Sequence, residues 1–255
     1  MQETSLEVLG QPLRVLEAGS GPPLLFLHGA GGLSWNPLLE RLSATHRVIA
    51  PEHPGFGRTE IPAWMMSVGD LAFFYLDVLE ALDLREVDLV GLSMGGWTAA
   101  ELAIRDTSRL RTLTLMAPAG VRSEVPFGDI FLWSPEESAR RGCFNPEIAE
   151  QRVRALAEAD LDTTLRNRAA TARLAWNPRL HNPQLPFWLH RIDVPTLLVW
   201  GTEDQVVPFA CAESYRRGIP GAQLLALPET GHALPAERPA EIAERLEAFF
   251  AEVRS

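Results

Sequence analysis

Two kinds of hydrophobic pattern alternate along most of the chain: short apolar runs and longer segments with helical spacing. The run at residues 23–27 is almost continuously apolar and ends at His28 and Gly29, which is typical of a buried strand. Residues 67–82 instead repeat apolar side chains at helical spacing and begin at Ser67, a favoured helix-capping residue. The predicted strands are residues 6–9, 13–17, 23–27, 47–50, 87–92, 111–117, 195–200 and 223–227. The predicted helices are residues 67–82, 95–105, 135–141, 146–159, 161–175, 209–217 and 239–253.

This order of strands and helices favours an α/β protein with a mostly parallel sheet and helices on both faces. The alternation stops between residues 121 and 190, where the patterns are helical and large aromatic residues are frequent. It resumes at residue 195. We therefore expect one α/β core that is interrupted by a helical cap, with core residues 1–120, cap residues 121–190 and core residues 191–255.

Composition and charge exclude several classes of protein. The 255 residues carry a formal net charge of −10 and all 23 basic residues are arginine, which removes lysine chemistry and argues against a nucleic-acid partner. Cys143 and Cys211 have no CxxC spacing, so neither a disulfide framework nor a metal site is expected. Without a signal peptide or a membrane-length apolar run, we expect a cytoplasmic protein with no membrane partner. The sequence predicts no oligomeric state.

The segment 91–96, Gly-Leu-Ser-Met-Gly-Gly, joins a predicted strand to a predicted helix. A G-x-S-x-G pattern at such a junction forms a nucleophile elbow, a turn so tight that glycines are needed on both sides of the serine. The turn leaves the Ser93 hydroxyl projecting above the sheet. The alternative is that Ser93 only caps the following helix, since serine is also a favoured N-cap.

A serine nucleophile needs a general base, and this architecture uses the chain order Ser, Asp, His. His232 follows the last predicted strand, and Asp204 follows the strand before it. Glu203 is the alternative acid, because it is the neighbour of Asp204. We therefore predict Ser93, Asp204 and His232 as a catalytic triad at the carboxyl ends of the strands, where ligand sites of parallel sheets form.

Two backbone N–H groups are expected to stabilise the oxyanion that forms when Ser93 attacks a carbonyl. One belongs to Met94, the residue after the nucleophile. The other is assigned to Ala30 in the glycine-rich segment after the strand at 23–27. Gly31 is the alternative donor and a predicted substrate contact. His28 is expected to stabilise this loop by hydrogen bonding rather than to act as a base.

Together these motifs resemble those of the α/β-hydrolase fold superfamily, in the subgroup with a helical cap after the sixth strand. The resemblance rests on residues 28–32 (HGAGG), 54–59 (PGFGRT), 91–96 (GLSMGG), 201–204 (GTED) with 207–208 (VP), and 231–232 (GH). It implies the α/β-hydrolase fold and a serine hydrolase that needs no metal or organic cofactor. These motifs are specific for the fold and not for a substrate. Glu52 stands where the family usually has Asp.

Side chains outside these motifs are first given structural roles. Four histidines are expected in loops or at the surface: His46, His53, His181 and His190. Three cap arginines are expected on a solvated or ion-paired face, with a substrate carboxylate as the alternative partner: Arg166, Arg168 and Arg173. The cap aromatics are expected to pack the cap, and Trp133 and Trp176 are the predicted substrate contacts.

The predicted activity is hydrolysis of carboxylic esters of small to medium, largely apolar substrates through an acyl-enzyme on Ser93. Haloalkane dehalogenases and epoxide hydrolases of this fold use an Asp nucleophile, so Ser93 excludes them. Lactone and amide hydrolysis and cofactor-free perhydrolysis use the same triad and stay open. A hydrolase-fold receptor with slow turnover is a further alternative. The expected partner is a small-molecule ester substrate.

Carbon–carbon hydrolases of aromatic ring-cleavage pathways are the main alternative within the fold. They first move a proton onto carbon, and in that family an Asn commonly precedes the nucleophile and a Trp commonly follows the histidine. Here Leu92 and Ala233 stand at those positions, although Asn182 and Pro183 resemble the same family. The sequence therefore predicts turnover of simple acyl esters and little or none of a vinylogous 1,5-diketone acid.

Overall fold

A computed structural model describes residues 1–254 of the chain and contains one eight-stranded sheet flanked by helices. The strands are β1 (Gln2–Val8), β2 (Gln11–Ala18), β3 (Pro23–Leu27), β4 (Arg47–Pro51), β5 (Val87–Leu92), β6 (Leu110–Met116), β7 (Thr196–Gly201) and β8 (Gln223–Leu227). The helices are α1 (Pro37–Leu42), α2 (Val68–Ala81), α3 (Met94–Ala103), α4 (Pro135–Arg141), α5 (Pro146–Glu158), α6 (Leu161–Ala175), α7 (Leu185–Trp188), α8 (Ala210–Gly218), α9 (Leu234–Glu237) and α10 (Pro239–Arg254). A single 3₁₀ turn covers Leu189–Arg191.

The strand order of the sheet places the loop that follows β3 beside the loop that follows β5. The order is β1-β2-β4-β3-β5-β6-β7-β8, in which β1 and β2, and β2 and β4, are antiparallel and all other pairs are parallel. The chain passes from β3 to β4 on one side and then to β5 on the other side, so the strand order reverses beside β3. At such a reversal a crevice opens at the carboxyl ends of the strands. The predicted α/β-hydrolase fold with a mostly parallel sheet is confirmed.

Burial explains why the sequence forms these elements. Every residue of β7 is buried, which matches the continuous apolar run that a strand covered on both faces requires. Ser67 caps α2 as predicted, with its Oγ accepting the Asp70 N–H at 3.1 Å. The helix α10 buries the predicted face of Ile242, Leu246 and the two phenylalanines that follow. The core therefore follows the hydrophobic periods of the sequence.

Three short helices were not predicted, because segments of four to six residues are too short to display a helical period. The helix α1 is nevertheless capped by Asn36, whose Oδ1 accepts the N–H groups of Leu38 and Leu39. Two of the four histidines that were predicted to lie in loops or at the surface do lie outside helices and strands, but in buried positions. His46 and His53 are buried, and the His46 ring packs against Phe250 with 5.1 Å between ring centroids.

Between β6 and β7 the described chain forms α4 to α7, the 3₁₀ turn and one isolated bridge from Gly120 to His181. The helical character of this segment agrees with the sequence pattern, and its exact limits as a cap, residues 121–190, stay a prediction. Arg166 is ion-paired with Glu60 and Asp162 as expected.

Two of the cap arginines do not form a solvated or ion-paired face. Arg168 donates to the Trp133 carbonyl at 3.0 Å. Arg173 donates to the carbonyls of Pro62, Ala63 and Met65 at 2.8 to 3.0 Å. Guanidinium groups that bind carbonyls of other segments anchor α6, and that role depends on contacts that lie far away in sequence.

None of the helices within residues 1–254 combines the length and hydropathy that a membrane crossing requires. The same residues contain no group of three or more His, Cys, Asp or Glu side chains arranged to hold a metal ion. Cys143 and Cys211 are buried free thiols, and burial raises the pKa of the Cys143 thiol to about 11.

Candidate active site

Ser93 occupies a strained turn between β5 and α3. Its backbone has φ 56° and ψ −115°, a left-handed conformation that is rare for a residue with a side chain. A Cβ on Gly91 would come within 2.4 Å of the Gly95 carbonyl oxygen, and one on Gly95 within 2.1 Å of the Leu27 oxygen. The turn is therefore open only to glycine at both positions. The Ser93 hydroxyl makes no capping hydrogen bond to α3, so the N-cap alternative has no support.

The peptide unit after Ser93 is held so that its N–H faces away from the helix. The Ser93 carbonyl accepts the Trp97 N–H at 2.9 Å and the Ala119 N–H at 3.2 Å. In a planar trans peptide the Met94 N–H points opposite to that carbonyl. This N–H also lies in the first turn of α3, where no intrahelical acceptor exists. Met94 thus supplies a donor of the kind that an oxyanion hole needs.

The loop after β3 runs directly beside Ser93, since a Cβ on Gly29 would lie 3.2 Å from the Ser93 Cβ. The Gly29 carbonyl accepts the His28 Nδ1–H at 2.8 Å and the Gly32 N–H at 3.1 Å. The Ala30 N–H belongs to the same peptide unit and therefore points away from both donors. Its direction is set by the two bonds that hold the Gly29 oxygen.

A buried chain of hydrogen bonds lies beneath this loop. The His53 N–H donates to His28 Nε2 at 2.9 Å, so the His28 ring is protonated on Nδ1. His53 Nε2–H donates to the His28 carbonyl at 2.8 Å, and His53 Nδ1 accepts the Tyr75 hydroxyl at 2.6 Å. Burial lowers the pKa of His28 to about 4 and that of His53 well below its usual value. Both rings are neutral near pH 7, and His53 supports the loop rather than lying at the surface.

Asp204 and His232 lie on the loops that follow β7 and β8, and they are hydrogen-bonded to each other. His232 Nδ1–H donates to Asp204 Oδ2 at 2.7 Å, which leaves Nε2 as the acceptor of the ring. Asp204 Oδ1 accepts the N–H groups of Val206 and Val207 at 2.8 and 2.9 Å. The alternative acid, Glu203, is exposed and accepts the hydroxyl of its neighbour Thr202. Asp204, not Glu203, is thus the acid that orients the imidazole in this structure.

The loop that carries His232 is tied to the segment between α4 and α5. The Gly231 N–H donates to Glu237 Oε2 at 2.7 Å, and the other oxygen of that carboxylate accepts the N–H groups of Phe144 and Asn145. The Ala233 N–H donates to the Gly142 carbonyl at 2.7 Å. The catalytic histidine candidate is therefore held from the cap side as well as by Asp204.

A second buried carboxylate anchors the helix that follows the nucleophile. Glu101 Oε1 accepts the Trp97 Nε1–H at 3.0 Å and the Asn182 Nδ2–H at 2.7 Å. The sequence singled out Asn182 only by family resemblance. Its contact joins α3 to the segment that leads back from the cap into β7.

The three predicted substrate contacts have the following surroundings. Gly31 is exposed, and its carbonyl accepts the Asn167 Nδ2–H at 3.1 Å. Trp133 is half-buried under the Arg141 guanidinium, which lies 4.8 Å from its ring centroid. Trp176 is 53% exposed and stacks with Arg179 at 4.4 Å. Both tryptophans contact residues of their own segment, and their role in binding substrate stays a prediction.

Comparison with known proteins gives concordant results. Residues 24–245 match the model of the alpha/beta hydrolase family. The chain is 30% identical to a 2-hydroxymuconate semialdehyde hydrolase of Pseudomonas sp. (strain CF600), over 98% of this chain and 95% of that protein. It is 29% identical to a 2-hydroxy-6-oxo-2,4-heptadienoate hydrolase of Pseudomonas putida, over 87% of this chain and 86% of that protein. A solved meta-cleavage product hydrolase from Pseudomonas fluorescens IP01 superposes with a TM-score of 0.83 at 25% identity, covering 98% of this chain and 97% of that one.

Proposed function

The chain belongs to the alpha/beta hydrolase family. We propose that it is a serine hydrolase that cleaves a carbon–carbon bond in a vinylogous 1,5-diketone acid. The observation that carries this proposal is the similarity over nearly the full length to a 2-hydroxymuconate semialdehyde hydrolase. The geometry is consistent with it, because a strained serine, a hydrogen-bonded His–Asp pair and two oriented N–H groups lie on the loops of one sheet edge. This choice reverses the preference for esters that the sequence predicted.

The proposed reaction begins with the movement of a proton onto carbon, which gives the diketone form of the substrate. Ser93 then attacks the ketone carbon at the scissile bond. His232 Nε2 takes the proton of the hydroxyl while Asp204 orients the ring and stabilises its cation. The Oγ–carbon bond forms and the carbonyl π electrons move onto oxygen. The N–H groups of Ala30 and Met94 stabilise this oxyanion.

Collapse of the tetrahedral intermediate breaks the carbon–carbon bond and leaves an acyl group on Ser93. The electron pair of the broken bond is delocalised into the neighbouring unsaturated ketone, and the dienolate takes the proton held by His232. Water, deprotonated by the same imidazole, then attacks the acyl-enzyme and releases a carboxylic acid. The net reaction consumes one water per bond cleaved and needs no oxidant or reductant.

Arg168 is the residue that we assign to the substrate carboxylate. Its guanidinium donates to backbone carbonyls of residues 130, 131 and 133, and no salt bridge within residues 1–254 involves it. Asn167, the preceding residue, contacts the oxyanion loop at Gly31. A partly buried cation without an acidic partner is suited to an anionic substrate.

Ester hydrolysis is the second candidate, and two side chains favour it. Leu92 and Ala233 flank the nucleophile and the histidine with apolar groups, whereas proton transfer onto carbon benefits from polar groups there. Acyl transfer from an ester needs only the triad and the oxyanion hole.

The test is a comparison of kcat/KM for a vinylogous 1,5-diketone acid with the best of a series of p-nitrophenyl esters. We expect the diketone acid to be preferred by at least about tenfold, which corresponds to about 1.4 kcal/mol of transition-state discrimination. Arg168→Met is expected to raise KM for the acid and to leave KM for neutral esters unchanged. Preference for an ester by the same factor would transfer the assignment to the second candidate.

A further inference from the structure

Asn167 is a buried amide in the middle of α6, where asparagine is an unfavourable residue. It is 7% exposed, and both ends of its side chain are bonded to backbone of the core. Its Oδ1 accepts the Gly57 N–H at 2.8 Å, and its Nδ2–H donates to the Gly31 carbonyl at 3.1 Å. One side chain of a cap helix therefore joins two loops at the carboxyl edge of the sheet.

The core makes room for this amide by lacking a side chain at Gly32. A Cβ at that position would lie 2.4 Å from Asn167 Nδ2, and the backbone there has a φ of +93°. Both observations require glycine. The close approach of amide and loop is thus a property of two residues that lie far apart in sequence.

A chain of hydrogen bonds leads from Asn167 to the oxyanion hole. Asn167 holds the oxygen of the peptide unit between Gly31 and Gly32. The N–H of that unit donates to the Gly29 carbonyl at 3.1 Å. The Gly29 carbonyl belongs in turn to the peptide unit that carries the Ala30 N–H. Since each unit is planar, holding one end of it fixes the direction of the other end.

We propose that Asn167 is a positioning residue that aims the Ala30 N–H at the oxyanion from the cap side. Stabilisation of the oxyanion then depends on the docking of α6, so the cap takes part in catalysis through the geometry of the oxyanion hole. His28 holds the same Gly29 oxygen from the core side. The inference rests on the proposed serine-hydrolase chemistry and not on the choice between ketone and ester substrates.

Two variants of Asn167 separate the contacts. Asn167→Ala removes both hydrogen bonds. Asn167→Asp keeps an acceptor for the Gly57 N–H but places a carboxylate oxygen against the Gly31 carbonyl, so it disturbs only the oxyanion loop. Loss of an oxyanion donor typically lowers kcat by about 10²- to 10³-fold, and a donor that is misdirected but present should cost about tenfold.

Arg173 provides the matched control. It lies on the same helix and also binds core carbonyls, but those of Pro62, Ala63 and Met65, away from the oxyanion loop. Arg173→Ala should therefore loosen α6 without turning the Ala30 peptide. A role of Asn167 that is limited to holding the cap would make the two positions behave alike.

The experiment measures kcat and KM on p-nitrophenyl acetate and on the diketone acid, the rate of labelling by a fluorophosphonate, and the melting temperature. We expect Asn167→Ala and Asn167→Asp to lower kcat and the labelling rate about tenfold with KM changed less than twofold, while Arg173→Ala keeps kcat. Wild-type kcat in Asn167→Asp, or equal losses of kcat in Arg173→Ala and Asn167→Ala, would overturn the proposal. If the wild-type protein hydrolyses only the ester, the carbon–carbon assignment is refuted. The variants are then compared with the wild type by their kcat on the ester and by their rate of labelling.

Discussion

Acidification is expected to destabilise the protein through His28 and His53, which are buried as neutral rings. His28 Nε2 accepts the His53 N–H, so a proton on that nitrogen removes the acceptor and places a charge in the core. Burial lowers the pKa of His28 to about 4, whereas in the unfolded chain a histidine titrates near a pKa of about 6.5. Between these values the unfolded chain binds more protons than the folded protein. The free energy of unfolding therefore falls as the pH is lowered through this range, and it is insensitive to His28 above it.

The magnitude follows from the difference between the two pKa values. Each pKa unit corresponds to about 1.4 kcal/mol. Lowering the pH through the whole range therefore decreases the free energy of unfolding by about 3 kcal/mol through His28, and the step from pH 7 to pH 4.5 decreases it by about 2 kcal/mol. Neither ring is screened by solvent, because both are buried. The pKa of His53 is lowered by burial and then by the charge on His28, so its contribution has the same sign. Against a typical stability of about 5 to 15 kcal/mol this is a large loss.

The assay is urea unfolding followed by tryptophan fluorescence at pH 7, 6, 5 and 4.5 and at constant ionic strength. Wild-type protein is compared with His28→Asn and His53→Gln, and His190→Asn serves as the control because His190 is exposed. Carboxylates that titrate in the same range contribute equally to all four proteins. The free energy of unfolding of the His28 variant should therefore change by about 2 kcal/mol less than that of the wild type between pH 7 and pH 4.5.

Equal pH dependence of the wild type and of both buried-histidine variants would refute this reasoning. It would mean that the rings are protonated in the folded protein or are solvated before it unfolds. A similar flattening in His190→Asn would show that the effect does not arise from burial, since that ring lies at the surface.

The remaining predictions concern the proposed catalytic groups and the cap. Ser93→Ala should keep the melting temperature and lose at least about 10³-fold in kcat, and near-normal turnover by the folded variant would remove Ser93 as the nucleophile. Asp204→Asn should lose most of kcat while Glu203→Gln keeps it, because only Asp204 bonds the His232 ring; steady-state rates that show the reverse would move the acid to Glu203. Trp133→Ala and Trp176→Ala should alter the preference among acyl chain lengths more than the rate on an acetate ester, and equal losses across a series of p-nitrophenyl esters would limit both residues to holding the cap together.

Local patterns in the sequence were sufficient to predict the sheet, the long helices and the elements that carry the candidate triad. The period of apolar residues is a local property, and it located β3, β5 and β7 because strands buried on both faces are apolar throughout. The elbow at Ser93 is equally local, since its glycines respond to contacts within a few residues and with the adjacent strand. Short helices such as α1 and α9 were missed, because a single turn has no period to detect.

The roles of His53, Asn167 and Glu101 were decided by tertiary structure alone. His53 meets His28 across 25 positions, Asn167 meets Gly57 across 110, and Glu101 meets Asn182 across 81. Nothing near a buried histidine or asparagine in sequence distinguishes it from one in a surface loop, because its meaning comes from the partner that satisfies it. The order of the motifs along the chain was sufficient to predict which residues carry the chemistry. The fold determined which distant side chains aim the backbone N–H groups beside Ser93, since those hydrogen bonds exist only after the cap helix and the loops at the sheet edge have come together.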